Sequence, residues 1–454
     1  MSRVYITKRP YKAAGLILAG FALTACSTLA GLGSNAKKEA ATAEERAGRI
    51  TMVLSEDALE ASPELATVPI ELQEVRAVES WGQAGSSAAK VTGHVEAAKA
   101  LRVAWRADIG SGSDKKSALT VPPVTSATAV YTLDSHQNLR ATNLKNGNRL
   151  WSKNLKGLTK RDKIGNGGGL AVENGALIVA SGFGFVARLD AETGEEVWKT
   201  QMGAPMTGSP TLNDGRIFVT SNNNEIFAVD LETGEVAWTD QAISETARVL
   251  GSPSVAAIED FIIAPYSSGE VIAYRAANGR RLWTDAISQA GRFTPISEIN
   301  DIGARPVLFG GLVFASSQSG TTVAIDGRSG NRVWTQPIGS TQAPAIAGNV
   351  IYVLGVDGQL AALKPDTGEA YWVKQLTVYE KEKKKKKRIS YAGPIVASDR
   401  VILVASTGEL LAFSPQTGEE VGSLNLKQTI YIEPIAADGK LLVLTDDGRL
   451  IAVE

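Results

Sequence analysis

The chain has 454 residues, with 47 basic and 48 acidic side chains and a formal net charge of −1. That balance carries no electrostatic footprint of a nucleic-acid partner. A single cysteine excludes an internal disulfide, and two histidines, His94 and His136, argue against a multi-histidine metal site and a histidine-dependent charge relay.

The N-terminus reads as a targeting segment. Residues 1–12 carry Arg3, Lys8, Arg9 and Lys12 and no acid, and residues 13–25 form an apolar run too short to cross a bilayer. A basic flank, a short apolar core and small residues at its end make a secretory signal. Its last residues, Leu23-Thr24-Ala25-Cys26, resemble the bacterial lipobox. That resemblance implies removal of residues 1–25, acylation of Cys26 and stable membrane anchoring through its acyl chains. Ser27, where an inner-membrane protein of this kind has Asp, points to the outer membrane. An ordinary signal with an incidental cysteine is the alternative. Residues 26–100 show little strand patterning and read as the lipidated cysteine and its tether. Residues 34–50 are rich in alanine and charge, and Gly82–Gly93 is small and polar. Trp81 has no explanation within a tether; docking on the body or on a partner would supply one.

From Trp105 onward one pattern recurs. Its clearest copies are FVARLDAETGEEVW (185–198), IFAVDLETGEVAW (226–238), VIAYRAANGRRLW (271–283), TVAIDGRSGNRVW (322–334) and LAALKPDTGEAYW (360–372). LRATNLKNGNRLW (139–151) is weaker, and LLAFSPQTGEEVG (410–422) has Gly422 in place of tryptophan. An alanine column runs Ala141, Ala187, Ala228, Ala273, Ala324, Ala362, Ala412, Ala452. The chain ends on LIAVE, half a repeat, and residues 101–105 supply the other half. Period-two alternation separated by turn residues predicts four strands per unit. Matching half-repeats predict an all-β, eight-bladed propeller over residues 101–454, with antiparallel blades and N- and C-terminal strands closing the last one. Each repeat glycine is expected to take positive φ in its hairpin. Each tryptophan is expected to wedge between neighbouring blades.

These turn-and-tryptophan units resemble the repeat of pyrroloquinoline-quinone dehydrogenases. A lipobox ahead of them, together with AWRADIGSGS (104–113), resembles the BamB family, the propeller lipoproteins of the outer-membrane β-barrel assembly (BAM) machine. The resemblance implies a non-catalytic scaffold, facing the periplasm from the outer membrane, with no cofactor and no metal. Its implied partners are the periplasmic domains of BamA, other subunits of the complex and unfolded outer-membrane proteins. The family's contact surface uses loops around the middle blades, which correspond to residues 245–254 and 297–306. Motif matching then nominates Arg248, Val249, Leu250 and Asp301, with Gly303 where the family has a second acid. Read from the residues alone, Leu250 could equally be core, and Arg248 and Asp301 could be solvated charges. The connection from Trp283 to Pro306 is long for a propeller, which suits a functional loop.

Residues 381–388 hold seven basic side chains in eight. A solvated, self-repelling loop is one reading. Contact of Lys383, Lys384, Lys385, Lys386, Lys387 and Arg388 with an anionic surface is the other. Two further functions compete with the scaffold. A quinoprotein oxidoreductase of this repeat type often carries an adjacent cysteine pair, which this chain cannot form, and long inserted loops, which its compact repeats lack. An envelope protein for another partner, such as polysaccharide, fits the fold but no particular sequence feature.

Overall fold

The computed structural model describes residues 58–157, 165–243, 253–287 and 302–454. Eight four-stranded antiparallel meanders make an eight-bladed β-propeller. Blade 3 illustrates the unit: Thr211–Asn213, Arg216–Thr220, Glu225–Asp230 and Val236–Gln241, in that order from inside to outside. The second and third strands are nearly all buried, and the outer strand alternates exposed with half-buried. This gradient follows from stacking blade on blade, which sandwiches the middle strands and leaves the outermost edge in solvent. Prolines flank or enter the inner strands at Pro123, Pro210, Pro306, Pro344, Pro394 and Pro434. A sheet edge is where a residue without an N–H is tolerated.

Blade 8 is built from both ends of the described body. Ile435–Ala437, Lys440–Leu444 and Arg449–Val453 are completed by Val103–Asp108. Arg102 and Glu454 exchange backbone hydrogen bonds at the seam, 3.1 and 2.9 Å.

The tryptophans act as expected, with a feature the sequence did not reveal. Each lies on the repeat glycine of the next blade and donates its Nε1–H to a carbonyl of the same turn. Trp151 bonds Ala191 at 3.1 Å, Trp238 bonds Ala276 at 2.8 Å and Trp283 bonds Gly327 at 2.8 Å. A β-carbon on Gly279, at φ +71°, would come within 2.6 Å of the Trp238 ring. Glycine is therefore demanded twice, by backbone conformation and by the indole. Gly279→Ala is expected to destabilise the fold by about 1–3 kcal/mol, read from the urea midpoint of residues 58–454. Before the glycine, Asp190 and Asp230 accept turn N–H groups and Asp326 accepts the Ser329 hydroxyl and N–H, and these bonds hold their carboxyls below the usual range.

The repeat without tryptophan now has a cause. Blade 8 has no turn between its third and outer strands, because these come from opposite ends of the body. A tryptophan in blade 7 would have no turn to lie on. Gly422 stands there instead, and Leu101 packs beside it.

Two expectations need correcting. In blade 2 it is Arg188, not Ala187, that pairs with Trp198. Arg188 belongs to the column filled elsewhere by alanine, and it reaches out to the Leu231 carbonyl and the Glu232 carboxylate. The second correction concerns the expected tether 26–100. Residues 58–100 are packed on the propeller as a strap. Ser62 donates its N–H to Ala370 on the outer edge of blade 6, at 2.8 Å. That cover leaves Tyr371 8% exposed, whereas Val333, at the same position in blade 5, is 48% exposed. The strap then passes Gln416, whose side-chain amide bonds both backbone groups of Ile70, and turns into the axis.

Candidate partner-binding face

The meander gives the propeller two unlike ends. Turns joining strands one to two and three to four lie at one end, here the turn end. Links from strand two to three, and every connection to the next blade, lie at the other, here the crossover end.

At the turn end the strap bonds inner strand after inner strand. The Val78 carbonyl accepts from Asp438 of blade 8, Trp81 from Thr125 of blade 1 and Gly82 from Val172 of blade 2. The Gln83 side chain accepts the N–H of Leu212 in blade 3, at 3.0 Å. Ala88 and Ala89 accept from Ala257 and Leu308 of blades 4 and 5. His94–Val95 then adds a parallel strand to blade 7, and Ala97 and Ala98 return to Gly439 of blade 8. Inner-strand N–H groups, bare at a sheet edge, are satisfied one blade at a time. Trp81 is 1% exposed, which explains its presence in a segment otherwise small and polar.

The axis above the strap is a funnel toward the crossover end. It contains a cavity of about 110 Å³ lined by Thr207, Ser254, Gly303, Arg305 and Gln342 and reaching down to Ala84 of the strap. Arg305, leading into blade 5, makes a two-pronged ion pair with Glu433, leading into blade 8, at 2.5 and 2.7 Å. The pair links blades three apart and is 13% exposed on each side. Gly85, at φ +75°, lets the strap pass close to the Arg305 guanidinium. Lys90 of the strap is buried beside this pair, and its Nζ has no hydrogen-bond partner. Burial, and then the Arg305 charge, push its pKa well below the usual lysine value, against the opposing pull of Glu433.

The residues nominated from sequence are distributed as follows. Cys26, Arg248, Val249, Leu250 and Asp301 lie outside the described residues. Their flanking described residues place both nominated loops in crossover connections, from blade 3 to 4 and from blade 4 to 5. Ile243, which precedes the first loop, is 62% exposed, and Tyr431, in the crossover from blade 7 to 8, is 51% exposed. Gly303 lines the funnel. Residues 383–388 sit on an exposed hairpin in the crossover from blade 6 to 7. Among the described residues, no three metal-ligating side chains cluster. Sequence reasoning missed the strap and its Lys90–Arg305–Glu433 cluster; the lone Trp81 was the one signal of it.

Eight meanders, joined tryptophan-on-glycine at every blade junction but that of blades 7 and 8, make this a β-propeller of the quinoprotein-repeat type. The profile of the family described as outer membrane protein assembly factor BamB matches residues 135–374 and 356–454. BamB of Escherichia coli K12 is 30% identical over 354 residues, 77% of this chain and 88% of its own. BamB of Alteromonas naphthalenivorans is 26% identical over 368 residues, covering 77% and 86%. Among solved structures, BamB from Moraxella catarrhalis matches with a TM-score of 0.63 at 17% identity, over 76% of this chain and 98% of that one. A quinohemoprotein alcohol dehydrogenase from Comamonas testosteroni matches with 0.62 at 14% identity, over 83% and 80%. At such identities the structural likeness speaks for fold alone. The chain belongs to the BamB family. The strap precedes the span that the family profile covers.

Proposed function

We propose that the protein is a non-catalytic assembly factor of the outer membrane, held there by acylated Cys26 and facing the periplasm. In this reading it serves the β-barrel assembly complex as a scaffold and docks the periplasmic domains of BamA with its crossover end. Membership of the BamB family carries the reading. The exposed Ile243 beside residues 245–254 supports the choice of face, since an apolar side chain at a polar loop is what a docking surface offers. Within the contact, Leu250 would supply the apolar anchor, assisted by Val249, and Arg248 and Asp301 would set charge complementarity.

Calorimetric titration of residues 27–454 with the periplasmic domains of the same organism's BamA tests this. Saturable binding, weakened at least about tenfold by Leu250→Ala with Asp301→Ala, is expected. Binding indifferent to the double change moves the contact elsewhere. No binding removes the scaffold reading and leaves the fold untouched.

A further inference from the structure

The crossover from blade 6 to blade 7, residues 376–390, carries an ordered hairpin. Tyr379–Lys381 pairs antiparallel with Lys386–Arg388 through a 3-10 turn at Glu382–Lys384. Its base is fixed to the body. The Ile389 N–H donates to the Val378 carbonyl at 2.8 Å, the Tyr391 hydroxyl to the Thr377 carbonyl at 2.8 Å, and Arg388 to the Val356 carbonyl at 2.5 Å.

This hairpin is costly to form. Lys381 lies directly opposite Lys386, a like-charge pair across the strands. Lys385 and Lys387 take left-handed backbone conformations, φ 46° and 59°, which non-glycine residues adopt at a penalty. All eight side chains from Lys381 to Arg388 are exposed. Lys387 meets Glu380 at 2.9 Å. Among the described residues, Lys381, Lys383, Lys384, Lys385 and Lys386 reach no carboxylate. The fold thus spends stability on presenting concentrated positive charge without burying any apolar group there.

We propose that this hairpin is an electrostatic contact for a bilayer surface bearing anionic phospholipid headgroups. Composition selects that partner over an acidic protein. Protein interfaces deplete lysine and favour arginine, whose planar fork pairs with carboxylates in a fixed geometry. Here six of the seven cations are lysines, with no apolar side chain among residues 381–388. Lysine is a mobile, strongly hydrated point charge, and clustered lysines add their attractions to a diffuse negative surface without stereospecific pairing. The hairpin lies in a different crossover from the nominated BamA loops, so the two contacts can be tested separately.

The test uses residues 58–454, one compact unit without the acylation site. Sedimentation compares vesicles of phosphatidylethanolamine with phosphatidylglycerol against vesicles of phosphatidylcholine alone. Binding only to the anionic vesicles is expected. Replacing Lys383, Lys384, Lys385 and Lys386 by glutamine should lower the partition coefficient about a hundredfold or more. Raising salt should release the unsubstituted protein steeply, because the attraction decays over a Debye length of about 8 Å at physiological ionic strength. The salt titration needs no variant, and an unchanged or higher melting temperature of the glutamine variant separates loss of charge from loss of fold. Failure to prefer anionic vesicles, or binding that survives the four substitutions, overturns the proposal. So does binding to an acidic polypeptide in the absence of vesicle binding. None of these outcomes bears on the calorimetric test with BamA.

Discussion

Trp81→Ala is expected to destabilise residues 58–454 by about 3–5 kcal/mol, a core-sized loss from a segment that reads as linker. Trp81 packs in the cluster that joins blade 8 to the strap, with Val78, Val95 and Ala97, and extends to Val130 of blade 1. The strap is pinned on both sides of it, at Val78 to Asp438 and at Gly82 to Val172. The space left by the indole therefore cannot close by drawing in the backbone, which puts the cost near the top of the range for large-to-small changes. The indole Nε1–H has no partner. Trp81→Phe, which keeps much of the ring and removes that buried donor, should cost far less. The urea midpoint reads the loss of stability. Hydrogen exchange reads its place, since the amides of Thr125, Val172, Ala257 and Leu308 are bonded to the strap. Their protection should fall together in the alanine variant. Unchanged midpoint and protection would mean that the strap is a passive tether.

Glu433→Gln is the second large effect, about 3–5 kcal/mol. Glu433 is the carboxylate that Arg305 pairs with and that stabilises the buried Lys90 charge. Neutralising it leaves the buried Arg305 guanidinium with no counter-charge and removes the carboxylate that favours the protonated form of Lys90. The variant's stability should also depend on pH in a defined direction. Lys90 has a depressed pKa in the folded chain, so over the interval below the ordinary lysine range the unfolded chain binds more protons than the folded one. Stability then rises as pH is raised toward that range, and over a wider interval in the variant, where Lys90 has lost its favourable neighbour. Replacing Arg305 and Glu433 together by apolar residues should restore much of the loss, as buried pairs often tolerate joint replacement. A joint variant as unstable as Glu433→Gln would show that the pair is needed for more than charge balance.

The blades were legible because each repeat states its structure several times. Alternation marks the strands, Asp-x-x-Thr-Gly or a close variant marks the turn, and tryptophan marks the outer strand. A single mark can mislead, as at Ala187, where alanine identity suggested a column that the ten-residue step back from Trp198 assigns to Arg188. The strap was illegible for a physical reason. It bonds an inner strand or its turn through one or two residues and then moves on, so no segment of it lies along a neighbour long enough to impose a period. Small residues such as Gly82, Ala84, Ala88 and Ala89 suit that path because they let the backbone come close, and the same residues look like linker. Lys90, read alone, is an ordinary surface lysine; its role depends on Arg305 and Glu433, more than two hundred positions away in sequence. The nominated contacts Arg248, Val249, Leu250 and Asp301 rest on resemblance, since a docking loop carries no repeat to check it against.

The seam in blade 8 has a consequence for how the chain is made. Synthesis delivers Val103–Asp108 early, and the strand it must join, Arg449–Val453, is the last of the described strands to emerge. Until then the first strand of the propeller waits with a bare edge, while seven blades can form in order behind it. The entropy of bringing such distant segments together grows only logarithmically with their separation, so the finished ring is little weakened by its length. The delay is kinetic: the earliest strand to emerge is among the last to find its partner, and over that interval its exposed edge is open to pairing with other chains.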